Sequence, residues 1–398
     1  MAISCDIVIS GGGIAGLTAA AAFGSAGFDV ICVEPTAPVT SRDASGSDLR
    51  TTAFLQPAKS LLHDCGLWDR LSPHAAALQV MRIVDAGGDK IEPRLVRDFK
   101  AADISDQPFG WNLPNWLLRR EMVARLQDLP NVDLRTDTST VSLFTRDSGA
   151  RVGLGDGSRI HTKLVIAADG RDSPMRQAAG IDVQTTRYGQ KALAFAVTHP
   201  KPHDNVSCEI HRSGGPFTMV PLPDYNGLPS SAIVWMHTGP RANHLMSLET
   251  PQFEAAMTER SCGLLGPLTL ASRRTIWPII TQSADRLAGQ RIALMAEAAH
   301  VVPPIGAQGL NMSLNDLRTL IELARQRPDG LGDAAMLDAY HKARIRDVTL
   351  RVRGIDLLNR ASMVSARPMR DVRAAGLNAL YSMAPVRHTL MRMGLGVR

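Results

Sequence analysis

The stretch Asp6–Pro35, DIVISGGGIAGLTAAAAFGSAGFDVICVEP, decides the fold of this chain. A short β-branched run is followed by Gly11, Gly13 and Gly16 in the spacing G-x-G-x-x-G, and then by an Ala-rich segment of helical composition. A second apolar run ends at Glu34. Strand, glycine turn, helix, strand and acid therefore follow one another in the order of a nucleotide-binding βαβ unit.

Each part of this unit has a physical role toward a nucleotide. Gly11 permits the tight turn, Gly13 lets the backbone approach a pyrophosphate, and Gly16 lets the helix pack on the strand. The phosphate then lies at the helix N-terminus. Glu34 is placed to accept hydrogen bonds from a ribose 2′-hydroxyl, which argues against a 2′-phosphate. The motif alone does not separate NAD from FAD, and its simpler alternative is a Gly-rich turn before a buried helix.

Composition limits the class of protein. The chain has 398 residues, 44% of them hydrophobic, so it can bury a large core, and its length predicts two domains. It has no apolar run of the roughly eighteen residues that a membrane-spanning helix needs, and its start, MAISCDIVIS, has no basic signal-peptide region. Five widely spaced cysteines without C-x-x-C predict reduced thiols, no disulfide and no metal site. We therefore expect a cytoplasmic protein.

Positive charge is concentrated in the last fifty residues, although the net charge of the whole chain is only +6. Aromatic residues are scarce there, so the segment offers little for base stacking and we expect no nucleic-acid partner. A basic helical tail with Leu and Met fits the anionic surface of a membrane. The alternative is a solvated helical cap on the core. The arginines of this tail are Arg351, Arg353, Arg360, Arg367, Arg370, Arg373, Arg387, Arg392 and Arg398.

The rest of the chain alternates between helical and strand patterns. Residues 49–71 have helical spacing interrupted by Pro57, and residues 78–92 predict a hairpin around DAGGDK. NWLLRREMVARLQDL predicts an amphipathic helix, and residues 191–277 predict several strands with one helix near 252–260. From Leu310 onward the chain is predicted to be mostly helical.

Nucleotide-type strand ends recur along the chain, at Glu34, Asp169 and Glu297, with strand-rich segments between them. This order predicts one parallel-sheet domain assembled from separated pieces and a second sheet domain inserted into it. We expect the first domain at 1–75, 113–180 and 285–330, the inserted domain at 76–112 and 181–284, and a helical C-terminal region at 331–398.

Two later motifs narrow the cofactor. Asp169 to Arg176 have the pattern D-G-x-x-S-x-x-R, and IALMAEAAHVVPPIGAQGLNMSLND carries Glu297 at the end of another strand. Together with the opening motif, they resemble the group A flavoprotein monooxygenases, the FAD hydroxylases typified by 4-hydroxybenzoate hydroxylase. Within that group the chain is most similar to the ubiquinone-biosynthesis hydroxylases. The resemblance covers nearly the whole chain, including LNALYSMAPVRHTLMRMGLG at the C-terminus.

The resemblance implies an α/β, Rossmann-type FAD-binding domain of the glutathione-reductase and 4-hydroxybenzoate-hydroxylase type, with an inserted mixed-sheet substrate domain and a helical C-terminus. It implies that the opening motif holds the adenosine half of FAD, that the Asp-Gly motif serves both FAD and transiently docked NADH or NADPH, and that the third motif holds the ribitol and phosphate. The cofactor-binding residues so implied are Gly11, Gly13, Ile14, Ala15, Gly16, Glu34, Arg50, Arg120, Asp169, Gly170, Ser173, Arg176, Glu297, Gly309, Leu310 and Asn311.

The resemblance also places a loop at the reactive edge of the flavin, with Pro304, Gly306 and Gly309 as the candidate residues. No side chain is expected to act as a nucleophile. His300 is expected to be structural or adjacent to FAD rather than a general base, and Arg171 is expected to be a surface charge.

Two further features concern the substrate pocket and a departure from the family pattern. Phe217 and Trp235 are candidates for lining the substrate pocket, against core packing as the alternative. The usual Gly-Asp pair of the family is Ala296-Glu297 here, which adds a methyl and a methylene where the backbone approaches the cofactor.

The implied reaction is hydroxylation of an aromatic ring, most similar to that of a polyprenylated phenol in ubiquinone biosynthesis, with NAD(P)H as reductant and O2 as co-substrate, through a flavin C4a-hydroperoxide. The alternatives are a flavin-dependent reductase of the geranylgeranyl-reductase type and a non-catalytic FAD-binding assembly partner. A halogenase is disfavoured because TIWPII does not supply W-x-W-x-I-P. We also expect peripheral contact with the inner face of the cytoplasmic membrane or with a biosynthetic complex, and a homodimer.

Overall fold

The computed structural model describes residues 3–88, 90–364 and 366–395, so Arg398 of the basic tail lies outside the described residues. The strands are β1 Ile3–Ser10, β2 Val30–Glu34, β3 Thr51–Leu55, β4 Ala76–Leu78, β5 Val80–Asp85, β6 Leu95–Lys100, β7 Gly110–Pro114, β8 Val132–Thr136, β9 Thr140–Arg146, β10 Gly149–Leu154, β11 Arg159–Ala167, β12 Val183–Thr198, β13 Val206–His211, β14 Pro216–Tyr225, β15 Leu228–Thr238, β16 Thr269–Leu270, β17 Thr275–Ala284, β18 Ala288–Gly289, β19 Ile292–Leu294 and β20 His300–Val301. The α-helices are α1 Ile14–Ser25, α2 Gln56–Asp64, α3 Trp68–Leu71, α4 Asn115–Gln127, α5 Pro174–Ala178, α6 Gly239–Ser247, α7 Thr250–Arg260, α8 Gln308–Gln326, α9 Ala334–Met363, α10 Arg367–Ser382 and α11 Ala384–Leu395.

The first sheet has the order β18-β19-β11-β1-β2-β8, and its five strands from β19 to β8 are parallel. Parallel strands covered on both faces are continuously apolar, and β1 follows this rule because Ile7, Val8 and Ile9 are fully buried. The Ala-rich face of α1 packs against this sheet, since small side chains let the helix approach closely. The hairpin β9–β10 extends the sheet beside β11.

The second sheet has nine strands in the order β20-β17-β12-β15-β14-β13-β5-β6, with β16 paired to β12. It is mixed, because β5 and β13 run parallel whereas its other pairs are antiparallel. Phe253 of α7 packs on one face of this sheet with a cluster of large apolar side chains. The strands of the two sheets thus alternate along the chain, and the numbered domain bounds given above stay a prediction.

Three local predictions need correction. Pro57 does not interrupt a helix: residues 51–55 form β3, and Pro57 lies in the first turn of α2, where its missing N–H has no intrahelical partner to lose. The strands β5 and β6 on either side of DAGGDK, whose Asp89 lies outside the described residues, do pair, but the second strand begins at Leu95 rather than within residues 78–92. A second helix, α6, precedes the one predicted near 252–260, and it also begins with a proline in its first turn.

The C-terminal region is helical, as predicted. Helix α9 runs against α8, while α10 lies along the edge strand β6, where Tyr381 donates a hydrogen bond to the Asp98 carbonyl at 3.1 Å and its ring contacts Phe99. In the described ranges, we find no helix that combines the length and the apolar character needed to cross a bilayer.

Candidate active site

The site begins where four neighbouring parallel strands end. Three backbone hydrogen bonds join these ends: Gly11 N donates to Val33 O at 2.8 Å, Ala168 N to Ser10 O at 2.8 Å, and Met295 N to Ala167 O at 3.0 Å. The residues that follow β1, β2, β11 and β19 therefore emerge along one edge of the sheet. Open parallel sheets bind ligands at this carboxyl edge.

The three glycines of the opening motif occupy their positions for different physical reasons. Gly11 has a φ of +100°, and a Cβ there would lie 2.5 Å from the Ala168 carbonyl oxygen. A Cβ on Gly16 would lie 1.8 Å from Gly11 O, so the crossing of helix and strand requires glycine. A Cβ on Gly13 would meet no atom within 4 Å, which leaves space beside this residue for a ligand.

Helix α1 presents its first turn to that space. No side chain caps the helix at Gly13, so the N–H groups of Ile14 and Ala15 are left for an anion. Glu34 accepts a hydrogen bond from Gly12 N at 2.5 Å with one carboxylate oxygen. Its other oxygen has the acceptor capacity that the predicted ribose contact needs.

Asp169 supplies the test of whether a cofactor fits here. Its Oδ2 accepts hydrogen bonds from Ser10 Oγ and Met175 N, both at 3.1 Å, whereas its buried Oδ1 has no partner among the described residues. A buried carboxylate oxygen without a donor is costly. Gly170 follows with a φ of +88° and free space on its Cβ side. The site thus combines an unpaired acceptor with two open glycines and an uncapped helix, and these fit a polar, phosphate-containing cofactor.

The remaining residues of the Asp-Gly motif, Ser173 and Arg176, form hydrogen bonds within the protein. Ser173 is fully buried and caps α5, accepting a hydrogen bond from Arg176 N at 3.0 Å. The Arg176 guanidinium donates from Nη1 to the Ala298 carbonyl at 3.0 Å and so ties this motif to the third one. Burial lowers the pKa of Arg176. The predicted contacts of both residues with FAD or NAD(P)H stay predictions.

Arg171, which the sequence predicts to be a surface charge, is partly exposed and forms an ion pair. Its Nε lies 3.4 Å from Glu297 Oε2. The two residues meet because β11 and β19 are neighbours and end at the same edge. Arg171 and Arg176 also line a cleft of about 640 Å³ between this edge and the strands β12 and β17, together with Arg187, Lys191 and Gln282.

The Ala296-Glu297 pair shows why the family pattern has glycine. Ala296 has a φ of +55°, in the left-handed region where a Cβ is unfavourable. The Glu297 side chain is 50% exposed, and Arg171 is its ion-pair partner. Both departures are therefore accommodated in the fold, the first at the expense of backbone strain.

His300 has a structural setting. Its Nε2 lies 2.6 Å from Asp316 Oδ2, and both side chains are inaccessible to solvent. Asp316 Oδ1 accepts a hydrogen bond from Arg344 Nε at 2.7 Å. The cluster joins the third motif to α8 and α9. Sequence reasoning missed Asp316 and Arg344, because nothing in their local sequence indicates which buried residues they meet.

The start of α8 is the second uncapped helix end at the site. No side chain caps it at Ala307, which leaves the N–H groups of Gly309 and Leu310 for a ligand. The Asn311 side chain is fully engaged within the protein: Nδ2 donates to Ala53 O at 2.8 Å and to Ala307 O at 2.7 Å, and Oδ1 accepts from Leu55 N at 2.9 Å. Asn311 therefore positions this helix end. Pro304 and Gly306 precede it in the predicted flavin-edge loop.

The two arginines predicted near FAD differ in their surroundings. Arg50 forms a bidentate pair with Asp48, at 2.9 and 2.8 Å, and its guanidinium lies 5.6 Å from the ring centroid of Trp277. Burial alone would raise the pKa of Asp48, but the hydrogen bonds from Arg50 and Asn115 and the charges of Arg50 and Arg119 lower it to about 2.

Arg120, by contrast, pairs with its neighbour Glu121 at 2.8 Å and lies over Trp116. Arg119 approaches Asp48 at 3.7 Å. Sequence reasoning missed Asp48 and Arg119. In the described part of the chain, no group of three or more His, Cys, Asp or Glu side chains is arranged to hold a metal ion.

Phe217 and Trp235 do not line the face of the second sheet that meets the flavin-edge loop. They are paired across β14 and β15, with ring centroids 5.3 Å apart, and both are buried against Phe253 of α7. Alternation along a strand sends neighbouring side chains to opposite faces. The sequence showed that these residues are apolar and in strands, but not which face turns toward the helices.

The opposite face of that sheet carries two alanines, Ala192 and Ala194, among larger side chains. Ala192 lies opposite Met236 and Trp277, and Ala194 lies opposite Val234 and Thr275 in the next row. Ile305, from the predicted flavin-edge loop, packs against the row of Ala192. This second face, and not the face of Phe217, meets the loop.

Comparisons with known proteins give the site a context. The FAD binding domain family matches residues 4–354. The chain is 31% identical to "Ubiquinone hydroxylase UbiL" of Rhodospirillum rubrum over 98% of this chain and 89% of that protein, and 27% identical to the 3-demethoxyubiquinol 3-hydroxylase of Escherichia coli over 98% of each. The crystal structure of p-nitrophenol 4-monooxygenase PnpA from Pseudomonas putida matches all of both chains with a TM-score of 0.80 at 20% identity, a likeness of fold.

The strain at Ala296 gives a prediction about stability. The left-handed conformation costs an alanine about 1–2 kcal/mol. Substitution by glycine removes this cost, but part of the gain in stability is offset because glycine has more freedom in the unfolded chain. Ala296→Gly should therefore raise the free energy of unfolding of the apoprotein by about 0.5–1 kcal/mol in urea denaturation. Ala299→Gly, at a neighbouring residue with a φ of −92°, should lower it. Equal destabilisation by both substitutions would contradict the strain at Ala296.

Proposed function

Because the chain belongs to the FAD binding domain family, we propose that it is a flavoprotein monooxygenase that hydroxylates the aromatic ring of a polyprenylated phenol in ubiquinone biosynthesis. Family membership confirms the predicted resemblance, the predicted fold class and FAD as the cofactor. The observation that carries the substrate proposal is the apolar face of the second sheet that bears Ala192 and Ala194, which meets the flavin-edge loop at Ile305. This face is apolar and suits an uncharged aromatic ring with a hydrocarbon tail.

Bound FAD supplies the redox chemistry, since it accepts a hydride from NAD(P)H and activates O2 for transfer of one oxygen atom to the ring. The residues of this chain hold and orient the cofactor. We assign the pyrophosphate to the first turn of α1, the adenosine ribose to Glu34, and a polar donor of the cofactor to the unpaired Oδ1 of Asp169. We assign the flavin ring to the start of α8, where the N–H groups of Gly309 and Leu310 and the positive end of the helix dipole would stabilise negative charge.

The protein must also exclude water, because oxygen that is activated in contact with water is lost as H2O2. Two elements can do this: the apolar sheet face around Ala194, and the loop of Pro304 to Gly306. NADH or NADPH binds only transiently, and we assign its docking to the cleft of about 640 Å³ lined by Arg171 and Arg176, where Arg187 and Lys191 supply further positive charge for its phosphates.

A substrate with a polyprenyl tail resides in a membrane, and the C-terminal helices offer a surface for it. Large apolar side chains are exposed along each of these helices at intervals of three, four, seven or eight residues, with Leu357 and Leu358 adjacent, so those of each helix lie on one side of it. These side chains, which we call the outer face, are Leu350, Leu357 and Leu358 of α9, Met369, Val372 and Leu380 of α10, Met383, and Val386, Leu390 and Met393 of α11.

Charge on these helices favours an anionic membrane surface. Arg346, Arg353 and Arg392 are exposed, whereas Asp371 is the only acidic residue within 366–395 and is paired to Arg94. Anionic lipids attract arginines near a membrane surface, and an apolar helix face can enter the headgroup boundary. We therefore propose peripheral binding to the inner face of the cytoplasmic membrane. The homodimer and the biosynthetic complex stay predictions.

Gly13→Asp separates cofactor binding from folding. A side chain at Gly13 meets no protein atom, its backbone conformation suits any residue, and aspartate is a favourable N-cap for α1. The carboxylate would, however, occupy the space assigned to the pyrophosphate and repel it. We expect the thermal unfolding of the apoprotein to stay the same or to improve, while the Kd for FAD, followed by flavin fluorescence, rises about 100-fold or more. Unchanged FAD affinity would place the pyrophosphate elsewhere.

The reaction is tested by following NADH and NADPH oxidation and O2 consumption of the FAD-loaded protein with and without a prenylated ubiquinone-precursor phenol. We expect the phenol to accelerate flavin reduction and to be recovered as its hydroxylated product. Ala194→Phe should place a large side chain on this face and raise KM for the phenol about tenfold or more with FAD still bound. Phe217→Leu, on the other face, serves as the control.

Three results would contradict this function. Turnover without O2 would favour a double-bond reductase, and FAD binding without any phenol-dependent oxidation would favour the assembly partner. If Ala194→Phe and Phe217→Leu changed KM equally, the substrate would not lie on the face of Ala194.

Membrane binding is tested by cosedimentation with vesicles. The wild-type protein should sediment with vesicles that contain anionic lipid and be released by salt. Leu357→Glu combined with Leu390→Glu, at side chains that are 69% and 44% exposed, should weaken binding about tenfold or more. The matched control is Val141→Glu, whose side chain is 57% exposed on β9. Loss of binding in the control as well, or none in the double variant, would exclude the outer face.

A further inference from the structure

Gln308, the first residue of α8, joins three separate segments of the chain. Its Nε2 donates hydrogen bonds to Gly306 O at 2.9 Å and to Gly394 O at 3.0 Å, and its Oε1 accepts one from Arg351 Nη1 at 3.0 Å. One side chain thus contacts the flavin-edge loop, α11 and α9 at once. All the hydrogen-bonding groups of its amide are directed to defined partners.

The loop beside Gln308 needs such support. Gly306 has a φ of +63° and Ala307 a φ of +55°, so two successive residues are left-handed, the second of them an alanine. Such backbone persists only where the surroundings hold it in place. Asn311 holds Ala307 from one side through its carbonyl, at 2.7 Å. Gln308 holds Gly306 from the other side.

The two anchors of Gln308 differ in rigidity. Arg351 also pairs with Asp347 at 3.0 Å, and Asp347 pairs with Arg344, which reaches the buried Asp316 of α8. This anchor is therefore connected through ion pairs to a buried residue of α8. The other anchor, Gly394, is the second-last residue of α11, a helix that contributes Val386, Leu390 and Met393 to the outer face.

We propose that Gln308 is a positioning residue, which sets the flavin-edge loop and the start of α8 through its hydrogen bonds to α9 and α11. The proposal rests on the proposed function only in identifying what the loop faces. Since the first N–H groups of α8 follow Gln308 directly, a shift of this residue changes where they point. The seating of α11 therefore contributes to the geometry at the edge of the flavin.

The experiment uses Gln308→Met, which keeps the length of the side chain and removes its donors and its acceptor. Hydrogen exchange of the amides in residues 305–310 should accelerate about tenfold in the full-length apoprotein. With FAD bound, the midpoint potential should become more negative, because a loosened α8 stabilises the reduced flavin less. Gln326→Met, at an exposed residue at the far end of α8, should leave both quantities unchanged.

Gln308→Glu separates the two anchors, because a carboxylate still accepts from Arg351 but has no donor for Gly306 O or Gly394 O. We expect exchange in 305–310 to match that of Gln308→Met. Exchange within twofold of wild type in either variant would overturn the proposal. The apoprotein measurement needs neither cofactor nor substrate, so a wrong substrate class would leave it unaffected.

Discussion

Three backbone hydrogen bonds across the ends of β19, β11, β1 and β2 are the constraint on which the site depends. They hold the strand ends at one level, so that residues far apart in sequence emerge side by side. This alignment brings together the turn of Gly11, the carboxylate of Glu34 and the Asp-Gly motif, so that they can contact one ligand. The start of α1 lies at the same edge, because Gly16 lets this helix approach the strand closely.

The sequence predicts this part of the molecule well because its signals are local. Glycines with positive φ, continuous apolar strands and a strand-ending acid can each be recognised from a few consecutive residues. Pairings between distant side chains cannot, because Arg171 with Glu297 and His300 with Asp316 depend on which elements become neighbours in the fold. Phe217 and Trp235 illustrate a third case, since the sequence shows that they are apolar and lie in strands, but neither that they pair nor that their face turns toward α7.

The Ala296-Glu297 pair shows how the turn after β19 accommodates a departure from the Gly-Asp pattern of the family. The turn after β19 keeps its left-handed residue although alanine replaces the usual glycine, because Ala299 N still donates to Ala296 O at 3.0 Å and Met295 N to Ala167 O. The longer acid reaches Arg171 across the strand ends. The strain is therefore local, and the sheet edge that positions the cofactor is preserved.

The second sheet and the C-terminal helices use opposite faces for opposite tasks. The sheet turns Phe217 and Trp235 toward α7, and it turns Ala192 and Ala194 toward the predicted flavin-edge loop. A stable core and the proposed substrate face therefore come from the same strands. Helices α9 and α11 likewise turn Arg351 and Gly394 inward to Gln308 and apolar side chains outward. The proposed membrane surface and the predicted flavin-edge loop are thus joined by the same helices, which would give a water-insoluble substrate and its reaction site a common framework.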